Sequence, residues 1–235
     1  GPSAAQTMWE IGARDEVVGV SYSDISYVDY LPGVEDETNA GNPGFTPIST
    51  SVVINEDPDL VLAANVISEA KVEQLRDAGL TVYQFREAKS IDFVVEKTRD
   101  YGRFVGRCED ANDRADQMQA EVDVIRDAVD DVQHPKGLYL FGPTGYTAGE
   151  GTFINELVQA AGVDNIADER VSGYSQLSTE VILEEDPAWL VRTREFDTSA
   201  YAGTTFHDEN QIITVNDNFM NQPGPRIVDV MRDIV

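Results

Sequence analysis

The chain has 235 residues, 43 of them acidic and 17 basic, and a formal net charge of −26. Nucleic acids and anionic membrane surfaces are bound through basic footprints, so this charge argues against both as partners. The 41% of hydrophobic residues can bury a core, which excludes global disorder. A surface this acidic, with only four lysines, repels itself unless salt screens it, so the composition indicates adaptation to a very salty solvent.

The predicted elements alternate along the chain between short strands and helices. An S-x-x-Q capping box at the start predicts a helix that is capped by Ser3. The predicted strands are residues 17–20, 60–63, 81–85, 137–141, 188–191 and 211–215. The predicted helices are residues 4–11, 50–54, 69–78, 91–105, 153–160, 179–184 and 225–234. This alternation is typical of parallel α/β units.

One long helix is predicted near the middle, because residues 109–132 contain no Gly or Pro. Its apolar residues recur at spacings of four and three and form one stripe: Ala111, Ala115, Met118, Val122, Ile125 and Val129. Such a stripe indicates packing against a core rather than a ligand site. Since the helix separates two sets of α/β units, we expect it to join two lobes as a rigid strut.

The chain also repeats one stretch of its sequence. Residues 49–62 and 178–191 align at a constant offset of 129, with six identical pairs: Ser49/Ser178, Thr50/Thr179, Val52/Val181, Glu56/Glu185, Asp57/Asp186 and Pro58/Pro187. Each copy predicts a short capped helix, a stop at Asp-Pro and a buried strand. The repeat therefore predicts two lobes of similar structure.

Motifs of common enzymes are absent from the sequence: it has no G-x-S-x-G, no Walker A and no G-x-G-x-x-G pattern. The glycine-rich residues 141–152 contain no Lys or Arg, so we expect a loop that lines a cleft and ends at a Thr152 N-cap. The two histidines, His134 and His207, fall in predicted loops without metal-ligand spacing. We therefore predict no catalytic residues, no metal site and no cofactor.

Candidate ligand contacts are the residues that follow the predicted strands, because open α/β sheets bind ligands at the carboxyl ends of their strands. They are Tyr22, Tyr27, Tyr30, Asn65, Arg86, Tyr146, Arg192, Arg194 and Phe219. Tyr offers a broad apolar face with a hydroxyl, which suits a bulky, partly polar ligand. The arginines favour a ligand with carboxylates, unless each pairs with a nearby carboxylate such as Glu195 or Asp197.

Ordered pieces along nearly the whole chain resemble the cobalamin and ferric-siderophore class of ABC-transporter substrate-binding proteins. They include DPDLV (57–61), LRDAG (75–79), GRFVGR (102–107), GEGTF (149–153), AAGVDNIA (160–167) and PGPR (223–226). The resemblance implies the class III periplasmic-binding-protein fold, an α/β fold with two Rossmann-like lobes of mainly parallel sheets joined by a single long helix. We place the lobes at residues 1–106 and 135–235 and the bridging helix at residues 107–134.

The same resemblance implies a function as an extracytoplasmic receptor. Such a protein binds cobalamin or a ferric siderophore between its lobes and delivers it to the permease of an ABC importer. We expect a monomer at the cell surface or in a periplasm-equivalent space, anchored to the membrane through segments absent from this chain. An enzyme or chelatase-type protein on the same architecture, and a surface interaction protein with a vestigial cleft, stay open as alternatives.

Permease docking in this family uses one Glu on each lobe, which contacts arginines of the permease. Glu180 matches the docking position of the second lobe. By the internal repeat, the equivalent residue of the first lobe is Ser51 rather than Glu, and Glu56 is the nearest replacement. This departure from the family pattern puts a symmetric docking through two salt bridges in doubt.

Overall fold

The computed structural model describes residues 1–21, 30–34, 38–41 and 49–235. These residues divide into two compact units, one formed by residues 1–87 and 96–115, the other by residues 88–95 and 116–235. In both units short parallel strands alternate with helices, which confirms the predicted α/β class. The predicted lobe boundaries and the bridging role of the long helix stay predictions.

Parallel strand pairs form the sheets of the first unit. Its strands are β1 (Gly19–Ser21), β2 (Thr38–Gly41), β3 (Val61–Ala63) and β4 (Val82–Gln84). β1 pairs with β2, and β3 pairs with β4. Its helices are α1 (Pro2–Glu10), α2 (Thr50–Asn55), α3 (Glu69–Asp77) and the larger part of α4 (Ile91–Val105). Ile11, Phe85 and Tyr101 are buried in one of its core clusters.

Helix α5 (Cys108–Asp130) confirms the predicted long helix. All six residues of the predicted stripe are buried, each at most 8% exposed: Ala111, Ala115, Met118, Val122, Ile125 and Val129. The stripe therefore packs into protein interior, as its spacing predicts. Residues 108–115 of this helix belong to the first unit and residues 116–130 to the second.

A four-stranded parallel sheet forms the centre of the second unit. Its strands are β5 (Lys136–Tyr139), β7 (Asp164–Asn165), β9 (Trp189–Arg192) and β10 (Ile212–Thr214), in the order β10-β9-β5-β7. A separate antiparallel pair consists of β6 (Tyr146–Ala148) and β8 (Tyr174–Gln176). The helices are α6 (Phe153–Ala160), α7 (Thr179–Glu185), α8 (Thr205–Asp208), α9 (Asp217–Met220) and α10 (Ile227–Ile234). Because the four strands run in parallel, the segments that follow β5, β9 and β10 leave the same edge of the sheet.

The first helix does not begin at the predicted capping box. Gly1 is its N-cap, Pro2 is the first helical residue, and Ser3 lies inside the helix. Pro is favoured at this position because its φ is already helical and its missing N–H would have no partner there. The predicted Ser3 cap is therefore wrong, and the Ser3 carbonyl instead accepts a hydrogen bond from Thr7 Oγ1 at 2.8 Å.

The glycine-rich residues 141–152 contain a strand, β6, where a loop is predicted. Gly145, directly before β6, has a φ of +77°. A Cβ at this position would lie 2.3 Å from the carbonyl oxygen of Leu177, the residue directly after β8. Only glycine accommodates both the positive φ and this close approach, so Gly145 permits β6 to pair with β8.

The two copies of the internal repeat fold alike. α2 and β3 form the first copy, and α7 and β9 form the second. Asp57 and Asp186, each followed by Pro, adopt the left-handed region with φ of +46° and +45°. The following Pro disfavours a right-handed helical conformation at both residues, which confirms the predicted stop in each unit.

Thr152 caps α6, as predicted. Its Oγ1 accepts a hydrogen bond from the backbone N–H of Asn155 at 3.2 Å and donates to the Gly149 carbonyl at 2.8 Å. Thr152 is only 5% exposed and Asn155 only 6%, so loss of the hydroxyl takes this partner from a buried N–H group. We expect Thr152→Ala to lower the free energy of unfolding by about 1–2 kcal/mol.

Urea unfolding followed by circular dichroism in molar KCl measures this loss. Thr152→Ser keeps the hydroxyl and should lose less than half as much. The matched control is Ser178→Ala, which removes the exposed cap of α7, where Ser178 Oγ accepts from Val181 N–H at 3.3 Å. We expect the control to lose about 0.5–1 kcal/mol. Equal losses in the free energy of unfolding would contradict the expectation that the buried cap stabilises the protein more than the exposed one.

Candidate functional site

Aromatic rings gather beyond the carboxyl end of β5. The Phe141 ring centroid lies 4.8 Å from that of Tyr139, 5.3 Å from that of Tyr146 and 5.9 Å from that of Tyr174. The pairing of β6 with β8 makes Tyr146 and Tyr174 diagonal neighbours on one face of this antiparallel pair. Tyr146 is 42% exposed and Tyr174 is 39% exposed. Phe141, Tyr146 and Tyr174 therefore form an accessible aromatic surface, and this name is used for them below.

A buried tyrosine connects the aromatic surface to a polar group. Tyr139 is fully buried, and burial raises the pKa of its hydroxyl above the ordinary value, so the hydroxyl stays protonated. Its Oη donates to Asn221 Oδ1 at 3.4 Å, and Asn221 Nδ2 donates to Asp217 Oδ1 at 2.6 Å. The other oxygen of Asp217 accepts from Arg194 Nη2 at 2.9 Å. These contacts hold Asp217 and Arg194 at the same sheet edge as the rings.

The two predicted arginines at the carboxyl end of β9, Arg192 within the strand and Arg194 beyond it, both have partners within the chain. Arg192 Nε donates to Thr214 Oγ1 at 3.2 Å, and its guanidinium lies 5.5 Å from the centre of the Phe196 ring. Arg194 pairs with Asp217 of α9, not with Glu195 or Asp197, the carboxylates nearest in sequence. Arg194 therefore forms an ion pair within the chain, which was the alternative to a ligand contact. Its partner lies 23 residues further along the chain.

Phe219 lies at the same edge, on α9. Its ring is 8% exposed, and the Arg226 guanidinium sits 4.2 Å from the ring centre. Arg226 also pairs with Asp229 at 2.7 Å. Arg226 is half-buried and thus more exposed than Phe219, which makes it a candidate ligand contact that the strand-end rule does not identify.

Four predicted ligand contacts of the second unit thus lie at one sheet edge: Tyr146, Arg192, Arg194 and Phe219. Sequence reasoning missed Phe141, Tyr174 and Arg226. Phe141 is the last residue of a predicted strand, so its position at a strand end is a signal that could have identified it. Tyr174 reaches the site only because β8 pairs antiparallel with β6, and no local sequence pattern predicts that pairing.

In the first unit, the structure brings Asn65 and Arg86 together. Both line a depression of about 480 Å³ beyond the carboxyl ends of β3 and β4, together with residues 66–69, Gln84 and Phe85. Gln84 Nε2 donates to the carbonyls of Ala64 and Ile67 at 3.3 and 2.8 Å, which holds the loop after β3 in place. The predicted strand-end position of Asn65 and Arg86 is therefore found, and their role as ligand contacts stays a prediction.

The predicted tyrosines after the first strand have different outcomes. Tyr22 and Tyr27 lie outside the described residues. Tyr30 packs against a core cluster that includes Ala5 of α1 and Val20 of β1, and it is half-buried. Its hydroxyl accepts a hydrogen bond from Gln6 Nε2 at 2.7 Å, so Tyr30 has a structural contact within the first unit.

The predicted docking residues lie on the two helices of the repeat. Glu180 is exposed in the first turn of α7, and Ser51 is exposed in the first turn of α2. Glu56 is half-buried at the C-cap of α2, the opposite end from Ser51. Its repeat counterpart Glu185 contacts Lys136 and Arg170, and the hydrogen bond from Lys136 lowers the pKa of the Glu185 carboxyl.

Neither a cluster of metal-ligating side chains nor a helix suited to crossing a membrane occurs in the described ranges. No three His, Cys, Asp or Glu side chains stand close enough together there to hold a metal ion. In the same part of the chain, none of the helices combines the length and the apolar character that a membrane crossing requires.

Residues 1–224 match the family model of the periplasmic binding proteins, and the chain belongs to this family. A cobalamin-binding protein of Halobacterium salinarum is 43% identical over 248 residues, which cover 98% of this chain and 65% of that protein. The chain thus spans about two thirds of the length of this curated relative.

Solved structures share the fold. The periplasmic vitamin B12 binding protein of Vibrio cholerae superimposes with a TM-score of 0.84 at 20% identity, covering 100% of this chain and 92% of that one. A periplasmic heme-binding protein of Roseiflexus, in apo form, has a TM-score of 0.84 at 22% identity, covering 100% and 95%. These likenesses confirm the α/β fold of periplasmic binding proteins for this chain.

Proposed function

We propose that this protein is the substrate-binding component of an ABC importer and that it binds a corrinoid without chemically changing it. The observation that carries the proposal is the 43% identity, over 98% of the chain, to a cobalamin-binding protein. The aromatic surface supports it, because two accessible tyrosines backed by Phe141 offer the broad, partly polar contact that a large macrocycle needs.

The arginine contacts favour a largely neutral ligand over one rich in carboxylates. At this sheet edge Arg194 pairs with Asp217 and Arg226 pairs with Asp229, and Arg192 donates to Thr214. A ligand carboxylate would have to compete with these partners, in a chain with a net charge of −26. The sequence alone left corrinoid and ferric siderophore open, and these contacts favour the corrinoid over a siderophore that carries carboxylates.

Ligand titration tests the proposal directly. The full-length protein, purified in molar KCl, is titrated with cyanocobalamin, hemin and a ferric hydroxamate siderophore in parallel. We expect cyanocobalamin to bind with a Kd of about 1 µM or tighter, at least −8 kcal/mol, and the other two much more weakly. Tight binding of hemin or of the siderophore in its place would overturn the assignment of the ligand, and no binding of any of the three would overturn the receptor function.

We propose further that Glu180 docks on a cationic residue of the importer's permease. Glu180 is exposed and makes no ion pair with another described residue. We expect Glu180→Arg to lower cyanocobalamin uptake about tenfold, equivalent to about 1.4 kcal/mol of docking free energy, while the Kd for cyanocobalamin stays unchanged. Uptake is measured in cells whose only copy carries the variant. The matched control is Glu109→Arg, an equally charged change at an exposed position of α5; equal losses in the two variants would argue against docking.

The proposed function also implies a cellular location and an oligomeric state for this protein. An importer's binding protein works outside the cytoplasm, so we place this one at the cell surface or in a periplasm-equivalent space, held there by a membrane anchor. We propose that it acts as a monomer. Fractionation of cells, with the full-length protein tracked by antibody, tests the location.

A further inference from the structure

One ion pair at the carboxyl edge of the central sheet joins two elements that are distant along the chain. Arg194, beyond β9, donates from Nη2 to Oδ2 of Asp217 in α9 at 2.9 Å. The Arg194 side chain is 55% exposed, whereas that of Asp217 is only 16% exposed. A ligand that reaches this edge therefore meets the guanidinium more readily than the carboxylate that neutralises it.

Asp217 is held in place from the protein interior. Its Oδ1 accepts a hydrogen bond from Asn221 Nδ2 at 2.6 Å, and Asn221 Oδ1 accepts from the buried Tyr139 hydroxyl at 3.4 Å. Burial raises the pKa of this hydroxyl, so Tyr139 stays protonated and can donate to Asn221. Asn216 caps α9 directly before Asp217, because its Oδ1 accepts from Asn218 N–H at 2.8 Å. Each oxygen of Asp217 thus has a donor, and turning the carboxylate toward a ligand would cost both hydrogen bonds.

The ion pair of Arg226 is less tightly held. Its partner, Asp229, lies only three residues further along the chain, has a side chain that is 30% exposed, and also contacts Arg232 at 3.2 Å. A carboxylate shared by two arginines can give up one of them at little cost, because the other still neutralises it. Compared with this pair, the pair of Asp217 and Arg194 connects two elements and has support from the interior. Asp217 is therefore the better placed of the two carboxylates to control which ligands an arginine accepts.

We infer that Asp217 is a specificity-determining residue that makes this site prefer corrinoids with amide side chains over corrinoids with carboxylate side chains, an inference that rests on the proposed function. An exposed guanidinium by itself attracts a carboxylate strongly, through a charge-assisted pair. Once Asp217 is bound to it, the pair carries no net charge, and Arg194 can still donate to a neutral amide carbonyl. A ligand carboxylate at the same place would be repelled by Asp217, so the site rejects it through an unfavourable contact.

Titration with two kinds of corrinoid tests this selectivity. The probes are cyanocobalamin and its separated monocarboxylic acids, in each of which one peripheral amide is hydrolysed to a carboxylate. Full-length protein is used in molar KCl, which screens the net charge of the chain and leaves contacts at the sheet edge dominant. The measured quantity is the selectivity ratio, the Kd of an acid divided by the Kd of cyanocobalamin. For at least one acid we expect a ratio of about ten or more in the wild type, and a ratio near or below one in Asp217→Asn.

Further variants separate the ion pair from other effects. Asp217→Ser, which also removes the charge, should lower the ratio in the same way. Asp217→Asn combined with Arg194→Gln should lose the affinity that Asp217→Asn gains for the acid, because that gain requires the guanidinium. The matched control is Glu121→Gln, since Glu121 on α5 pairs with Arg232 on α10 in the same unit, with side chains that are 22% and 51% exposed. This control removes the same charge and should leave every ratio unchanged.

The outcomes separate this inference from the function on which it rests. If the wild-type protein binds no cyanocobalamin, the proposed function fails. If the wild type binds cyanocobalamin, but both Asp217 variants leave the ratio for every acid within about twofold of wild type, only the role of Asp217 is overturned. A purely structural loss would give that result, because it weakens binding of the amide and of the acid alike. An equal fall of the ratio in Glu121→Gln would also overturn the inference, because net charge rather than the ion pair would then set the selectivity.

Discussion

Replacement of Tyr146 and Tyr174 together by Ala is expected to weaken cyanocobalamin binding by about 3 kcal/mol, roughly 150-fold in Kd. The two rings are 42% and 39% exposed in the unliganded chain, so a bound macrocycle can bury the remaining area of both. Burying one aromatic side chain contributes about 1.5–3 kcal/mol, and the lower value applies because each ring is already partly buried. Isothermal titration calorimetry of the full-length protein in molar KCl measures the change.

Two controls separate the ring contact from other effects. Tyr146→Phe with Tyr174→Phe keeps both rings and should retain most of the affinity. Tyr83→Ala removes a tyrosine of matching exposure, 41%, from the middle of β4 in the first unit, and should leave the Kd unchanged. A Kd for the double Ala variant within about twofold of wild type would mean that the ligand does not rest on the aromatic surface.

Stability is expected to rise steeply with salt. The net charge of −26 is distributed over a small protein, and its self-repulsion acts over about 30 Å at 0.01 M salt but over only about 3 Å at 1 M. We expect Tm to rise by on the order of 10 °C between these concentrations of KCl, which corresponds to about 3–5 kcal/mol for a chain of this size. A thermal scan by circular dichroism across the series measures the shift, and a constant Tm would rule the explanation out.

Neutral replacements on helix α5 test whether charge repulsion causes the rise of Tm with salt. Glu109, Asp113, Asp127 and Asp130 are exposed on this helix and make no ion pair with another described residue. Their replacement by Gln and Asn changes the net charge from −26 to −22, as four negative charges are removed. Because self-repulsion scales with the square of the net charge, the salt-induced rise in Tm should become roughly a quarter smaller. An unchanged rise would point to salt effects on apolar burial instead.

Much of the fold follows from local sequence patterns. The periodicity of apolar residues predicts the bounds of α4 and α6 as the structure has them, and it predicts the buried stripe of α5. The Asp-Pro pairs of the repeat predict two helix stops, and both occur at left-handed Asp residues. These features depend on residues within one or two turns of each other, which is why spacing alone is sufficient to predict them.

Other features need partners that are distant along the chain. β6 lies in a glycine-rich stretch without a strand pattern and exists because β8, 28 residues further on, pairs with it. The Ser3 cap failed because Pro2 is a better first helical residue, so the helix starts two positions earlier than a Ser3 cap would place it. In both cases a competing interaction overrides the local preference.

The sequence by itself determined the α/β class, the repeated motif, and the placement of Tyr146, Arg192, Arg194 and Phe219 near the carboxyl edge of the central sheet, because these follow from periodicity and from the parallel order of elements. Only the tertiary structure decided which of these side chains are available to a ligand. It placed Tyr174 beside Tyr146 through the β6–β8 pairing, and it paired Arg194 with Asp217 on another element. The physical reason is that an ion pair or a ring contact depends on distances of a few ångströms between elements, and spacing along the chain does not specify those distances.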